Sequence, residues 1–257
     1  MTRQLSIAWL GHSTVMLEID GVRLLTDPLL RRHAWLLRRR FPKPEPDLWQ
    51  DPDAVLISHL HHDHAELASL MMLPRVPVLT ADENAGWLRR RALAGTELGE
   101  DWHRVGDGPV EVRLTRAIHR HRPMPHRPNA ANGHLVRGSE MSAWLVGDTS
   151  LYAEMVEIPD LLGRRLDLIA VPIAGWGPRL SPGHLGPAEA VTACVRSGAR
   201  WALPVHWGTL HPPMPRLMGP AGWMDRPHDE FVRALRREAP DCRLVDLRPG
   251  DMWHAED

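Results

Sequence analysis

The run His59-Leu60-His61-His62-Asp63-His64 gathers four imidazoles and one carboxylate into six residues. Imidazoles two positions apart on an extended segment point the same way, so His59 and His61 can grip one ion. A turn after His61 lets Asp63 and His64 face a second ion beside the first, with His62 left as a spacer. Imidazole combined with carboxylate suits zinc, manganese or iron, whereas calcium prefers all-oxygen cages. Sixteen histidines in 257 residues exceed ordinary usage, and their clustering makes a metal site the first hypothesis. The competing reading is a loop of solvated histidines. The run follows the apolar segment Asp53-Ala54-Val55-Leu56-Ile57-Ser58 directly, and that position favours metal.

A two-metal site needs about three more ligands, drawn from the ends of other strands. Three polar residues stand at the ends of apolar runs. They are His119 after 110–115, Asp148 after 141–146 and His206 after 201–205. His121 and His126 compete with His119, and spacing alone does not choose between them.

The elements that must position these groups read as follows. Residues 5–10, 14–19 and 22–26 alternate as strands, with Asp20-Gly21 as a two-residue hairpin turn. Residues 29–51 dissolve into arginine, proline and tryptophan and read as a long irregular loop. Strands are expected at 53–58, 77–79, 110–115, 141–146, 168–172, 201–205 and 242–245. Helices are expected at 65–73, 83–93, 187–197 and 229–238, with Pro187 in the first turn of the third. Strands mixed with helices, and polar residues collected at strand ends, fit two packed sheets covered by helices. The expectation is one domain over 1–257.

Composition narrows the partners. With 31 basic and 32 acidic residues the formal net charge is -1, so no global field draws the chain to nucleic acid or to an anionic membrane. Cys194 and Cys242 cannot make a disulfide framework and read as thiols in a reducing compartment. No run approaches the roughly 20 apolar residues of a transmembrane span. A cytoplasmic protein acting on a small-molecule substrate is the expectation, with homo-oligomerisation open. The loop 31–41 mixes basic and apolar residues and reads as a solvated turn, an amphipathic lip over the pocket or a peripheral lipid contact.

The order HxHxDH, lone His, Gly147-Asp148-Thr149 and final His resembles the metallo-β-lactamase superfamily of binuclear hydrolases. Further motifs are similar to one branch, that of N-acyl-phosphatidylethanolamine phospholipase D and ascorbate-6-phosphate lactonase. They are Leu10-Gly11-His12-Ser13-Thr14, Thr26-Asp27-Pro28, Val171-Pro172-Ile173, Pro178-Arg179 and Val205-His206-Trp207-Gly208-Thr209. The resemblance implies an αββα four-layer sandwich. It implies that His59, His61 and His119 bind one ion, that Asp63, His64 and His206 bind another, and that Asp148 bridges them. Arg122, three residues after His119, matches an arginine of the family and favours His119 over His121. Asp27 matches an aspartate behind the site that would fix a histidine tautomer. The expected cofactors are two divalent ions, zinc first, with manganese or iron as alternatives.

Two adjacent cations acidify a shared water, and the resulting bridging hydroxide attacks a phosphorus or carbonyl carbon. Asp63 would accept the nucleophile's proton and later return it. His184 corresponds to a residue before the family's long C-terminal helix and would bind or protonate the substrate. Packing at the helix start is the competing reading. Arg122 and Arg179 offer guanidinium forks to an anion, and Trp176 and Trp207 flank site motifs as pocket-lining candidates. The expected activity is hydrolysis of a phosphodiester or of a lactone or other ester, with a phosphorylated-sugar lactonase as the alternative. A non-catalytic binding or regulatory protein would lack a ligand, and all seven are present. A nucleic-acid processing enzyme would favour a basic face and a clamp domain, which charge and length do not support.

Overall fold

Neighbouring residues of the first strand, β1 (Leu5–Gly11), face different cores. Leu5, Ile7 and Trp9 point into one apolar cluster and Ala8 and Leu10 into another, the two-residue period of a strand buried on both sides. The computed structural model describes residues 5–73, 75–119, 126–175 and 177–255. In chain order, β2 (Thr14–Ile19), β3 (Val22–Thr26), β4 (His33–Ala34), β5 (Leu37–Arg39) and β6 (Ala54–Leu56) lead into α1 (Leu67–Leu70). Then come β7 (Val78–Ala81), α2 (Asp82–Arg89), β8 (Gly95–Leu98), β9 (His103–Arg104) and β10 (Glu111–Arg116). The second half runs β11 (Asn132–Arg137), β12 (Ser142–Leu145), α3 (Ile158–Leu162), β13 (Leu168–Pro172), α4 (Pro187–Ser197) and β14 (Trp201–Val205). It closes with β15 (Leu210–His211), α5 (Arg226–Glu238), β16 (Arg243–Leu244) and β17 (Met252–His254).

Two seven-stranded sheets result, ordered β17-β1-β2-β3-β6-β7-β8 and β16-β14-β13-β12-β11-β10-β9. One continuous core fills the space between them, with Ile7, Leu17 and Leu56 from the first sheet and Leu135, Trp144 and Ile169 from the second. On the outer face of the first sheet, Val55 and Ile57 pack with Leu70, Trp87 and Leu88 of α1 and α2. α4 packs on β13 and against α5 outside the second sheet. This is the expected αββα layering.

α4 matches its expected range because its signals are local. Pro187 opens it, the Glu189 carboxylate accepts from the Gly186 N–H at 3.0 Å, and Gly198 closes it at φ 62°. The stretch 29–51 differs from the irregular loop expected. It holds the β4–β5 hairpin, which pairs with β15, and a 3₁₀ turn over Pro46–Leu48. Strands of two or three residues are too short to show a period, and their partner lies some 170 positions away in sequence. β8, β9, β11, β15, β17 and α3 also went unread.

Candidate metal centre

β1, β3, β6, β7 and β8 run in one direction in the first sheet, as do β10, β12, β13, β14 and β16 in the second. The chain therefore leaves these strands at a common edge, where open α/β sheets place their ligands. His12 follows β1, Asp27 follows β3, the run His59 to His64 follows β6, His119 follows β10, Asp148 follows β12 and His206 follows β14. The loop after β13 supplies His184. His12, Asp27 and His206 have left-handed backbones, with φ of 55°, 36° and 63°. Such φ values are uncommon without glycine and concentrate at functional sites. Gly147, at φ +67°, delivers Asp148. A Cβ there would lie 2.8 Å from the Asn132 carbonyl oxygen and 2.9 Å from Ser58 Cβ.

Two groups of ligand atoms form. In the first, His61 Nδ1 lies 2.9 Å from His59 Nε2 and 3.1 Å from His119 Nε2. In the second, His12, Asp63, His64 and His206 bring their ligand atoms within 4.8 Å of one another. His64 Nε2 and His206 Nε2 are 3.1 Å apart. Asp148 stands between the groups, its Oδ2 3.2 Å from both of those nitrogens and 3.3 Å from His184 Nε2.

The opposite ring nitrogens show what these groups want. His64 Nδ1 donates to Asp27 Oδ2 at 2.8 Å, and His206 Nδ1 donates to the Ala174 carbonyl at 2.7 Å. In the neutral rings both Nε2 atoms are then bare lone pairs, pointed at each other and at a carboxylate. Only positive charge satisfies that arrangement. His119 Nδ1 is committed to the Gly183 carbonyl at 2.7 Å, and His59 Nδ1 meets Ser58 Oγ at 3.0 Å. Ser58 Oγ in turn donates to Asp27 Oδ2 at 2.6 Å. Backing of this kind orients metal-ligating histidines. Asp148 Oδ1 is buried and has no hydrogen-bond partner among the described residues. A nitrogen-and-carboxylate donor set with an orphaned carboxylate oxygen fits divalent zinc, manganese or iron.

Electrostatics agree. Burial opposes charge on His64, but Asp148 and Asp27 outweigh it and hold its pKa well above the usual histidine value. Burial likewise works against ionised Asp148, yet His206, His64 and His184 keep its carboxyl well below the usual range. Burial pushes His59 well down, with the neighbouring His64 and His61 adding to it, and brings His119 to about 4 despite Asp148. His59 and His119 are thus neutral and available as ligands at pH 7.

All seven residues expected to be ligands (His59, His61, Asp63, His64, His119, Asp148, His206) meet here, with Asp27 behind them and His184 beside Asp148. Arg122, Trp176 and His121 lie outside the described residues. His126 is exposed and stays out of the cluster, and Arg179 is exposed on the loop between β13 and His184. His62 stacks on Trp35 at 5.9 Å and accepts from Arg127 Nη2 at 3.1 Å, so it braces the loop. That stacking sets the β4–β5 hairpin, with Trp35 and Leu36 exposed at its turn, beside the site. Trp207 is a correction, because it is buried against Trp9 and His228 and does not line a pocket. Sequence reading missed His12. The rule that found the others, a polar residue stranded at a strand's end, applies to it equally.

A family model described as a beta-lactamase superfamily domain matches residues 22–207. The chain belongs to the metallo-β-lactamase superfamily of hydrolases. Among curated relatives, an N-acyl-phosphatidylethanolamine-hydrolyzing phospholipase D from Caenorhabditis elegans is 28% identical, the alignment covering 97% of this chain and 75% of the relative. A metal-dependent hydrolase from Methanopyrus kandleri is 27% identical over 96% of this chain and 98% of its own. Among solved structures, a metallo hydrolase from Ignicoccus hospitalis superposes with a TM-score of 0.74 at 19% identity, covering 99% of each chain. That likeness bears on the fold. No helix among the described residues is long and apolar enough to cross a membrane.

Proposed function

We propose that this metallo-β-lactamase-family chain is a two-metal hydrolase of ester bonds, acting on a phosphodiester or a lactone or other ester of a small anionic substrate. The observation that carries the reading is the apposition of the His64 and His206 Nε2 lone pairs beside Asp148 with their Nδ1 protons committed elsewhere. His59, His61 and His119 would hold one ion, Asp63, His64 and His206 a second, and Asp148 both. Zinc is the first candidate, with manganese and iron as alternatives. Divalent ions in such a site acidify water and neutralise charge that develops on the attacked centre.

The residues around them divide the proton work. Asp63, with its side chain 14% exposed, is reachable from solvent and accepts the attacking water's proton. His184 is the proton donor to the leaving oxygen. Burial opposes its charged form, but Asp148 and the Ser181 carbonyl raise its pKa, which favours the protonated form that a donor needs. Its Nδ1 lies 3.1 Å from that carbonyl, which leaves Nε2 toward Asp148 and the site. Arg179, exposed on the same loop, would be the group that meets an anionic substrate. Kinship with a phospholipase D favours the phosphodiester form.

The test is a panel of bis-p-nitrophenyl phosphate and lactones, each with and without chelator. Chelator-sensitive phosphodiester cleavage is expected, and cleavage of lactones alone would overturn the phosphodiester form. His184→Gln is expected to lower kcat by about 10²-fold or more with KM little changed, as for loss of a general acid. An unchanged kcat would remove His184 from the mechanism.

A further inference from the structure

The turn between β1 and β2 carries an imidazole that belongs to the second ligand group and to none of the assigned roles. His12 is 1% exposed. Its backbone is fixed from three sides. Its N–H donates to Thr209 Oγ1 at 2.8 Å, and its carbonyl accepts from Trp9 Nε1 at 2.9 Å and from the His206 N–H at 3.0 Å. The turn is therefore tied to the segment that carries His206. The two rings lie 3.9 Å apart between centroids.

Held this way, His12 points Nε2 at Asp63 Oδ2 at 3.0 Å, closer than the 3.9 Å from His64 Nε2 to the same oxygen. A histidine present only to fill the turn would need no carboxylate in front of it. Asp63 comes from a loop whose carboxylate would otherwise be free to swing or to chelate with both oxygens. A hydrogen bond to one oxygen removes that freedom and raises the geometric definition of the other.

We propose that His12 is the positioning residue for Asp63, donating Nε2–H to Asp63 Oδ2 and so fixing the carboxylate toward the ion it would share with His64 and His206. This rests on the reading of Asp63, His64 and His206 as one metal group. Direct ligation by the His12 ring is the competing arrangement. The two differ in what can replace the imidazole. A glutamine amide reaches about as far as Nε2 and can donate, whereas an asparagine amide stops at the level of Nδ1. Asparagine also tolerates the left-handed φ of 55° at this position, so its substitution isolates the lost hydrogen bond from backbone strain.

The experiment titrates metal-free full-length protein with Zn²⁺ in competition with a chromogenic chelator, for wild type, His12→Asn and His12→Gln. His12→Asn is expected to weaken the second ion about 10- to 100-fold while the first stays within about threefold, and His12→Gln to stay within about threefold at both. Circular dichroism and thermal melts establish that each variant is folded. If His12→Asn does not fold, His12→Gly, which suits the same φ, takes its place. Wild-type affinity at both sites in His12→Asn overturns the assignment. Equal loss in His12→Asn and His12→Gln also overturns it, in favour of direct ligation. A wild type that takes up no second ion overturns the two-metal reading and this inference with it, whereas a second ion bound as tightly in His12→Asn as in wild type overturns this inference alone.

Discussion

Asp27 shows how much of the candidate centre is decided one residue behind it. One carboxylate accepts from the Ser58 N–H, the Ser58 hydroxyl and His64 Nδ1, at 2.8, 2.6 and 2.8 Å. It thereby fixes one imidazole directly and steadies His59 through the serine. Asp27→Asn removes the charge and offers an N–H where His64 needs an acceptor. Metal affinity measured by chelator competition is expected to fall about 10- to 100-fold, and unchanged affinity would contradict this account. His134 tests the electrostatics away from the ligands. Burial lowers its pKa from 6.5 to about 4, with its Leu79 carbonyl contact and Asp27 working the other way. The folded value lies below the unfolded one, so the unfolded chain takes up the proton first. Stability is retained above pH 6.5 and falls as the pH drops from there toward 4. Between pH 7 and pH 5 this group costs about 2 kcal/mol, and His134→Gln should remove that part of the slope in urea unfolding. An identical slope in both proteins would contradict the assignment. At this scale the sequence was readable wherever a polar side chain ended an apolar run, as at His119, Asp148 and His206. His12 met the same criterion but lies in Gly11-His12-Ser13, which reads equally well as turn chemistry. Long-range partners such as Ser58 with Asp27 have no local signal.

Among the elements, β6, β12 and β14, which lead into candidate ligands, were legible because both their faces are buried. β13 and β14 are buried at every position and were read with their observed limits. β4, β5 and β15 were not legible, since they exist only through pairing with one another across the chain. What fixes them is Arg39, 3% exposed, whose guanidinium donates to the carbonyls of Leu10, Leu29 and Pro42. An arginine in a basic, proline-rich stretch gives no hint that it will be buried. The turn after β12 carries a sharper constraint. Gly147→Ala would combine a left-handed φ with overlap against the Asn132 carbonyl and Ser58. A loss of about 2 kcal/mol or more in urea unfolding is expected from strain of this kind, and a loss below about 0.5 kcal/mol would contradict it.

For the molecule as a whole, the centre is a joint between two sheets. The first sheet's strands lead into His12, Asp27 and the run from His59 to His64, and the second's into His119, Asp148 and His206. Ions bound there would link both halves, so metal should raise the temperature at which the whole fold melts, by an amount set by ligand excess over Kd. Composition and spacing brought the layered α/β class within reach of sequence alone, because strand ends and ligands coincide. The rim was left open, since the loop 31–41 reads equally as a solvated turn, an amphipathic lip or a lipid contact, and its Trp35 and Leu36 stand 72% and 58% exposed. The central claim, a two-ion centre built from both sheets, is tested most directly by elemental analysis of the purified chain beside His119→Ala and His206→Ala. Two divalent transition ions per wild-type chain and one in each variant are predicted. No stoichiometric metal in the wild type, or two ions retained in both variants, would contradict it.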